Sequence, residues 1–225
     1  MPDPAVLEGW RSAQAVCFDV DSTVSPEEGI DVLAGYAGVA AQVADLTRRA
    51  MEGGMPFHEA LHARLAIIRP SLSMIAGCLA AHPPRLNVGI SQLVSRLRAN
   101  GAQVFLVSGG FEPMILPLAK ALGIPGSQVF ANRLHFTTEG AYAGFDSQRP
   151  TAQAGGKGAV LFRLKRLFGY HPLIMVGDGA TDLEAKPPAD YFIGYGGIVV
   201  REKVKAQADW FVTDFSELVA ALGEA

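Results

Sequence analysis

Residues 15–23 read Ala15-Val16-Cys17-Phe18-Asp19-Val20-Asp21-Ser22-Thr23, an apolar run that stops at an acidic, hydroxyl-rich segment. A short, wholly apolar run reads as a strand buried on both faces, here with a polar carboxyl end. Two later runs follow the same plan. Residues 104–107 end at Ser108-Gly109-Gly110, and residues 173–176 end at Gly177-Asp178-Gly179. Helical spacing precedes each: Ile90, Leu93, Val94 and Leu97 before the second run, and Val160, Leu161, Leu164, Leu167 and Phe168 before the third. Strands alternating with amphipathic helices predict βαβ units and a parallel, Rossmann-like sheet. Further strands are expected at residues 191–193 and 210–212, and a last helix over 215–222.

Residues 26–86 break this rhythm. They hold short helical patterns bounded by Pro26, Pro56, Pro70 and Pro83-Pro84, with no evident strand. The expected organisation is an α/β core of residues 1–23 and 87–225, with a small helical insert at 24–86. Residues 129–146 alternate around Glu139-Gly140 and predict a β-hairpin.

Composition limits the function classes. Of 225 residues, 49% are hydrophobic, so a large core is available, and the net charge of −3 comes with no basic block. Long-range attraction to nucleic acid or anionic membrane is not expected. No apolar stretch reaches the roughly 20 residues that span a bilayer, and the first residues lack the layout of a secretion signal. Cys17 and Cys78 are the only cysteines, which suits a reducing compartment. The expectation is the cytoplasm, or the plastid stroma where a transit peptide has been removed.

In an open parallel sheet, ligands bind outside the carboxyl ends of the strands. Asp19, Ser108 and Asp178 all sit at such ends, so the topology gathers them on one edge. Asp19 and Asp21 offer two carboxylates in different settings, one suited to act as nucleophile and one as acid and base; a helix cap beside a solvated acid explains the pair equally well. Ser108-Gly109-Gly110 offers a hydroxyl and bare N–H groups for phosphate oxygens, and equally a tight turn. Lys157, opening a helix in Gly155-Gly156-Lys157-Gly158, is a cation for phosphate or a surface lysine. Asp178 and Asp182, around a glycine turn, are hard oxygen donors of the kind Mg²⁺ takes, or an Asx turn. Each bland alternative stands alone; all four together, in this order, do not. His58 and His62 are spaced i, i+4, but no third metal ligand accompanies them.

These four elements resemble the motifs of the haloacid dehalogenase-like phosphatases, in order. The resemblance implies Mg²⁺ as cofactor and a phospho-aspartate intermediate. Asp19 is then the nucleophile, Asp21 the acid and later the base, and Ser108 and Lys157 the phosphoryl holders. Mg²⁺ is held by the Asp19 side chain, the Asp21 backbone carbonyl and Asp178, with Asp182 in support. Over nearly the whole chain the sequence is similar to the eukaryotic-type phosphoserine phosphatase family. Glu27-Glu28-Gly29-Ile30-Asp31, Thr47-Arg48-Arg49-Ala50-Met51, Pro56-Phe57, Ser108-Gly109-Gly110-Phe111 and residues 177–182 carry that similarity. It implies that the insert is a cap that reads an amino acid. Glu28 then meets the ammonium and Arg64 the carboxylate, Met51 and Phe57 shape the pocket, and Gly109, Gly179 and Thr181 approach the substrate. Glu52 departs from the glycine common in that family. The implied reaction is hydrolysis of O-phospho-L-serine, the last step of serine synthesis, by a homodimer acting on a small molecule. The helix itself speaks for Arg64: Phe57, Ala60, Leu61 and Arg64 share one face, where an arginine needs a partner or must snorkel.

Overall fold

Strand β1, Ala15–Phe18, is buried at every position. It is central because it pairs in parallel on both sides, with β2 (Gln103–Phe111) and with β6 (Leu173–Gly177). The remaining elements are α1 (Pro4–Arg11), α2 (Gly29–Tyr36), α3 (Ala40–Met51), α4 (Phe57–Ile68), α5 (Leu72–Ala81), α6 (Ile90–Ala99), α7 (Glu112–Ala121), β3 (Val129–Asn132), β4 (Leu134–Phe136), β5 (Tyr142–Phe145), α8 (Gly156–Phe168), α9 (Ala180–Leu183), β7 (Tyr191–Tyr195), α10 (Glu202–Gln207), β8 (Trp210–Val212) and α11 (Phe215–Ala221). This computed structural model describes residues 2–51 and 55–223, without the side chains of Ala50, Met51 and Phe57.

The main sheet has six strands in the order β3-β2-β1-β6-β7-β8, all parallel. Successive side chains point to opposite faces, so each strand feeds two cores. Val16, Phe18, Leu106, Ile174 and Val176 pack against Trp10, Leu93, Leu97 and Phe215. Cys17, Val107, Met175 and Phe192 pack on the other side against Val160, Leu161 and Leu164. The strand order reverses direction between β1 and β6, which is where such sheets open a ligand crevice. A third cluster joins Leu33, Leu61, Leu65 and Ile75 of α2, α4 and α5 to Phe111, Met114 and Leu134. Among the described residues, no single helix is long and apolar enough to cross a membrane.

Two features differ from the sequence expectation. Residues 129–132 do not belong to the hairpin; they form β3, pairing with Leu106 and Val107 of β2 at the sheet edge. An edge strand buried on one face alternates just as a hairpin strand does. The antiparallel hairpin is β4 with β5 alone. The second difference is α1, which the sequence reading left without an element. The Asp3 side chain accepts from the Ala5 N–H, and Pro4 occupies the first turn, where its missing N–H costs nothing.

Candidate active site

Asp19 leaves β1 where the sheet ends, its N–H still donating to the Val176 carbonyl of β6. Its Oδ1 accepts from the Val20 N–H at 2.7 Å and from Lys157 Nζ at 2.8 Å. Oδ2 takes no hydrogen bond from a described residue. The chain then turns tightly through Val20–Val24, with Ser22 at φ 55°. A non-glycine residue in the left-handed region costs about 1–2 kcal/mol. That turn aims the Asp21 side chain back over the sheet edge. Asp21 Oδ1 accepts from the Gly29 N–H at the start of α2, at 2.7 Å, and Ser108 Oγ lies 3.4 Å from Oδ2. Burial, and then the charges of Glu28 and Asp19, push the Asp21 carboxyl up to about 7, against the pull of the Gly29 N–H and Lys157. A carboxyl poised near neutrality suits an acid that must also serve as a base.

Ser108 is buried and accepts from the Gly110 N–H at 2.9 Å. A Cβ at Gly110 would lie 3.0 Å from Asp21 Oδ2 and 3.1 Å from Ser108 Oγ, so this close packing depends on glycine. Lys157 lies between Asp19 and Asp182, 2.5 Å from Asp182 Oδ1. Burial works against its ammonium, but the two carboxylates outweigh burial and raise its pKa. Asp182 is wholly buried and folds against Gly177, where a Cβ would lie 2.3 Å from its Cγ; its Oδ2 accepts from the Gly179 N–H. Asp178 takes Thr23 Oγ1 at 3.2 Å and Arg201 Nε at 3.0 Å. Burial, and then the Asp19 charge, raise its pKa, with Arg201 opposing.

Oxygens of Asp19, Asp178 and Asp182 lie within 4.8 Å of one another, and all three residues are buried. Such a set of buried hard oxygen donors, in which burial and then the Asp19 charge push the Asp178 and Asp182 carboxyls upward, fits a divalent cation such as Mg²⁺.

These groups face a cavity of about 410 Å³. Asp19, Asp21, Lys157 and Asp178 line it together with Glu28, Ile30, Leu61 and Arg64. Gly109, Gly179 and Thr181 also line it, while Ser108 and Asp182 sit behind the wall. Glu28 is anchored by Ser22 Oγ at 2.8 Å. Arg64 bonds through Nε to the Ala60 carbonyl and is mostly buried; burial lowers its pKa, against the charges of Asp31, Glu28 and Asp21. It therefore turns inward rather than snorkelling. The Met51 and Phe57 side chains, and Glu52, lie outside the described residues.

Residues 13–187 match the haloacid dehalogenase-like hydrolases. The chain belongs to that family. It is 56% identical over 213 residues to the phosphoserine phosphatase of Mus musculus, covering 95% of both chains. Its fold is similar to that of DsGPDH of Dunaliella salina, with a TM-score of 0.87 and 38% identity, covering 99% of this chain and 38% of that one. It is also similar to a solved phospho-aspartyl intermediate analogue of phosphoserine phosphatase, with a TM-score of 0.78 and 26% identity over 92% of this chain and 98% of that one. The chain is a hydrolase, and its curated relatives over nearly its full length are phosphoric monoester hydrolases.

Some residues of this hydrolase site are absent from the sequence reading. Arg201 lines the cavity and pairs with Asp178. It follows β7, whose carboxyl end faces the same edge, so a cation just past that strand was a readable signal. Thr23 belongs to the first motif but lacked an assigned partner. Asn132 and Thr151, hydrogen-bonded to each other at 2.8 Å, were hidden by the assignment of residues 129–132 to a hairpin.

Proposed function

We propose that this hydrolase removes the phosphoryl group from O-phospho-L-serine, giving L-serine and phosphate, the last step of serine synthesis. The observation that carries this reading is the polarity of the cavity. Its lining joins the acidic pair and Lys157 of the strand-bearing segments with one anion, Glu28, and one cation, Arg64, from residues 24–86. A zwitterionic amino acid with a phosphate at its far end complements that arrangement. The 56% identity to a phosphoserine phosphatase supports it. Helices α2–α5, within residues 24–86, act as a cap over a core of residues 1–23 and 87–225, and the β4–β5 hairpin is a flap beside them.

In the proposed mechanism Asp19 attacks phosphorus while the bond from phosphorus to the serine oxygen breaks. Asp21 gives its proton to that oxygen, releasing serine and leaving a phospho-aspartyl enzyme. Asp21, now ionised, takes a proton from water, whose oxygen attacks phosphorus and restores Asp19. Lys157, with Ser108 and the Gly109 N–H, balances the phosphoryl charge throughout. Asp19, Asp178 and the Asp21 carbonyl would hold Mg²⁺, with Asp182 keeping Lys157 and the turn in place. When bound, that cation offsets the repulsion between carboxylate and phosphate.

Phosphate release from both enantiomers of phosphoserine, from phosphothreonine and from sugar phosphates tests the substrate. Phospho-L-serine should be turned over best. Equal turnover of a sugar phosphate would remove the basis for the reading.

A further inference from the structure

The phosphate-facing turn is an irregularity of strand pairing. Val107 of β2 pairs with Phe130 of β3, and the next pair is Phe111 with Asn132. Four steps along β2 therefore span two along β3, so Ser108-Gly109-Gly110 bulges out of the ladder. A bulge re-aims a strand but leaves backbone groups without ladder partners, and a buried carbonyl left unpaired is costly. Here the missing partner is a side chain. Asn132 is wholly buried, and its Nδ2 donates to the Gly109 carbonyl at 2.8 Å. Its Oδ1 accepts from Thr151 Oγ1 at 2.8 Å. Thr151 belongs to the short 3₁₀ turn Pro150–Ala152 that leads into α8 and Lys157, and it lines the cavity itself. One amide thus connects the segment carrying the glycine N–H groups with the segment carrying the lysine.

We propose that Asn132 is a positioning residue for catalysis: by holding the Gly109 carbonyl, it fixes the peptide plane between Gly109 and Gly110, whose N–H holds Ser108 Oγ, and so sets Ser108 relative to Lys157. The proposal rests on the reading of that turn as a phosphoryl holder. Rotation of that peptide plane would withdraw its N–H from Ser108 Oγ, and small misplacements of this kind cost up to about 100-fold in rate.

Asn132→Leu keeps approximate size and removes both polar atoms. It should lower kcat on phosphoserine and raise the inhibition constant of inorganic phosphate, each by about 10- to 100-fold, in protein whose circular dichroism is that of the folded wild type. Thr151→Val, which removes only the hydroxyl, should shift both quantities in the same direction, and Thr151→Ser should recover most of that loss. The threonine pair keeps the test open if Asn132→Leu does not fold. A folded Asn132→Leu enzyme with wild-type kcat and wild-type phosphate inhibition overturns the proposal. So does a Thr151→Val enzyme that loses only thermal stability. Wild-type protein that releases no phosphate from phosphoserine or p-nitrophenyl phosphate overturns the phosphatase reading, and this proposal with it; the wild-type control keeps the two failures distinct.

Discussion

At the scale of single residues, the site works by giving similar carboxyls different surroundings. Asp19 keeps one oxygen tied to the Val20 N–H and Lys157 and the other without a described donor, which leaves that second oxygen open for the proposed attack. Asp21, two residues on, is pushed up to about 7 and can carry a proton near neutrality. Asp19→Asn keeps the shape and the acceptor for the Val20 N–H but removes the proposed nucleophile. It should cut turnover by at least ~1,000-fold and remain folded. Acid quenching with labelled substrate should leave label on the wild type, and label recovered on Ser108 would reassign the nucleophile. Asp178 is held between Thr23 and Arg201 for a different task. EDTA should abolish turnover and excess Mg²⁺ restore it, whereas Ca²⁺, with its larger and looser shell, should substitute poorly. Asp178→Ala should require far more Mg²⁺ for partial recovery. Full activity of wild type in metal-free buffer would end the metal assignment. The sequence made these acidic positions readable because each closes an apolar run. It marks Arg201 less sharply: a cation past the carboxyl end of β7 is readable, but its pairing with Asp178 depends on a loop path rather than a motif.

At the scale of elements, strands buried on both faces were legible and the half-buried edge was not. β1 and β6 are continuous apolar runs with one structural reading, whereas β3 alternates and fits either a hairpin or a sheet edge. Only the sheet-edge reading of β3 places a bulge opposite it and brings Asn132 to Thr151. On the side away from the site, Asp190 ties three elements together. It meets Lys165 of α8 at 2.6 Å, the Leu173 N–H of β6 at 2.7 Å and His171 Nδ1 at 3.1 Å, just before β7 begins. Partial burial pushes its carboxyl up, but the Leu173 N–H, Lys165 and His171 bring it net below the ordinary value. A carboxyl lowered in the folded state contributes stability above its unfolded pKa and loses it as pH falls through the folded one. Asp190→Asn should therefore lower Tm at pH 7, and the gap from wild type should narrow as pH falls below the ordinary Asp value of about 3.9. An unchanged Tm at pH 7, read by thermal melts across the series, would show that the three contacts contribute nothing.

At the scale of the whole molecule, the two parts of the cavity divide the chemistry. The reversal of strand order at β1 and β6 brings together residues as distant as Asp19 and Asp178, and this much follows from the run-and-turn pattern. How α2–α5 face that edge does not, because short helical patterns carry no signal of their direction. The described structure supplies that direction: Leu61 and Arg64 of α4 line the same cavity as Asp19 and Lys157. If α4 reads the substrate carboxylate, it does so with the planar, two-pronged donor of Arg64, which lysine does not reproduce. A charge-assisted hydrogen bond contributes about 1.5–3 kcal/mol, roughly a 10- to 150-fold effect. Arg64→Ala should lower kcat/KM on phosphoserine by at least that order, and Arg64→Lys should recover only part. On p-nitrophenyl phosphate, which has no amino-acid carboxylate, the same variants should change little, since the groups around phosphorus are untouched. Comparing the two substrates separates lost recognition from a disturbed fold. Equal losses on both would make Arg64 structural, its buried charge serving only to balance Glu28 and Asp31. Unchanged rates on both would mean that Arg64 does not read the substrate.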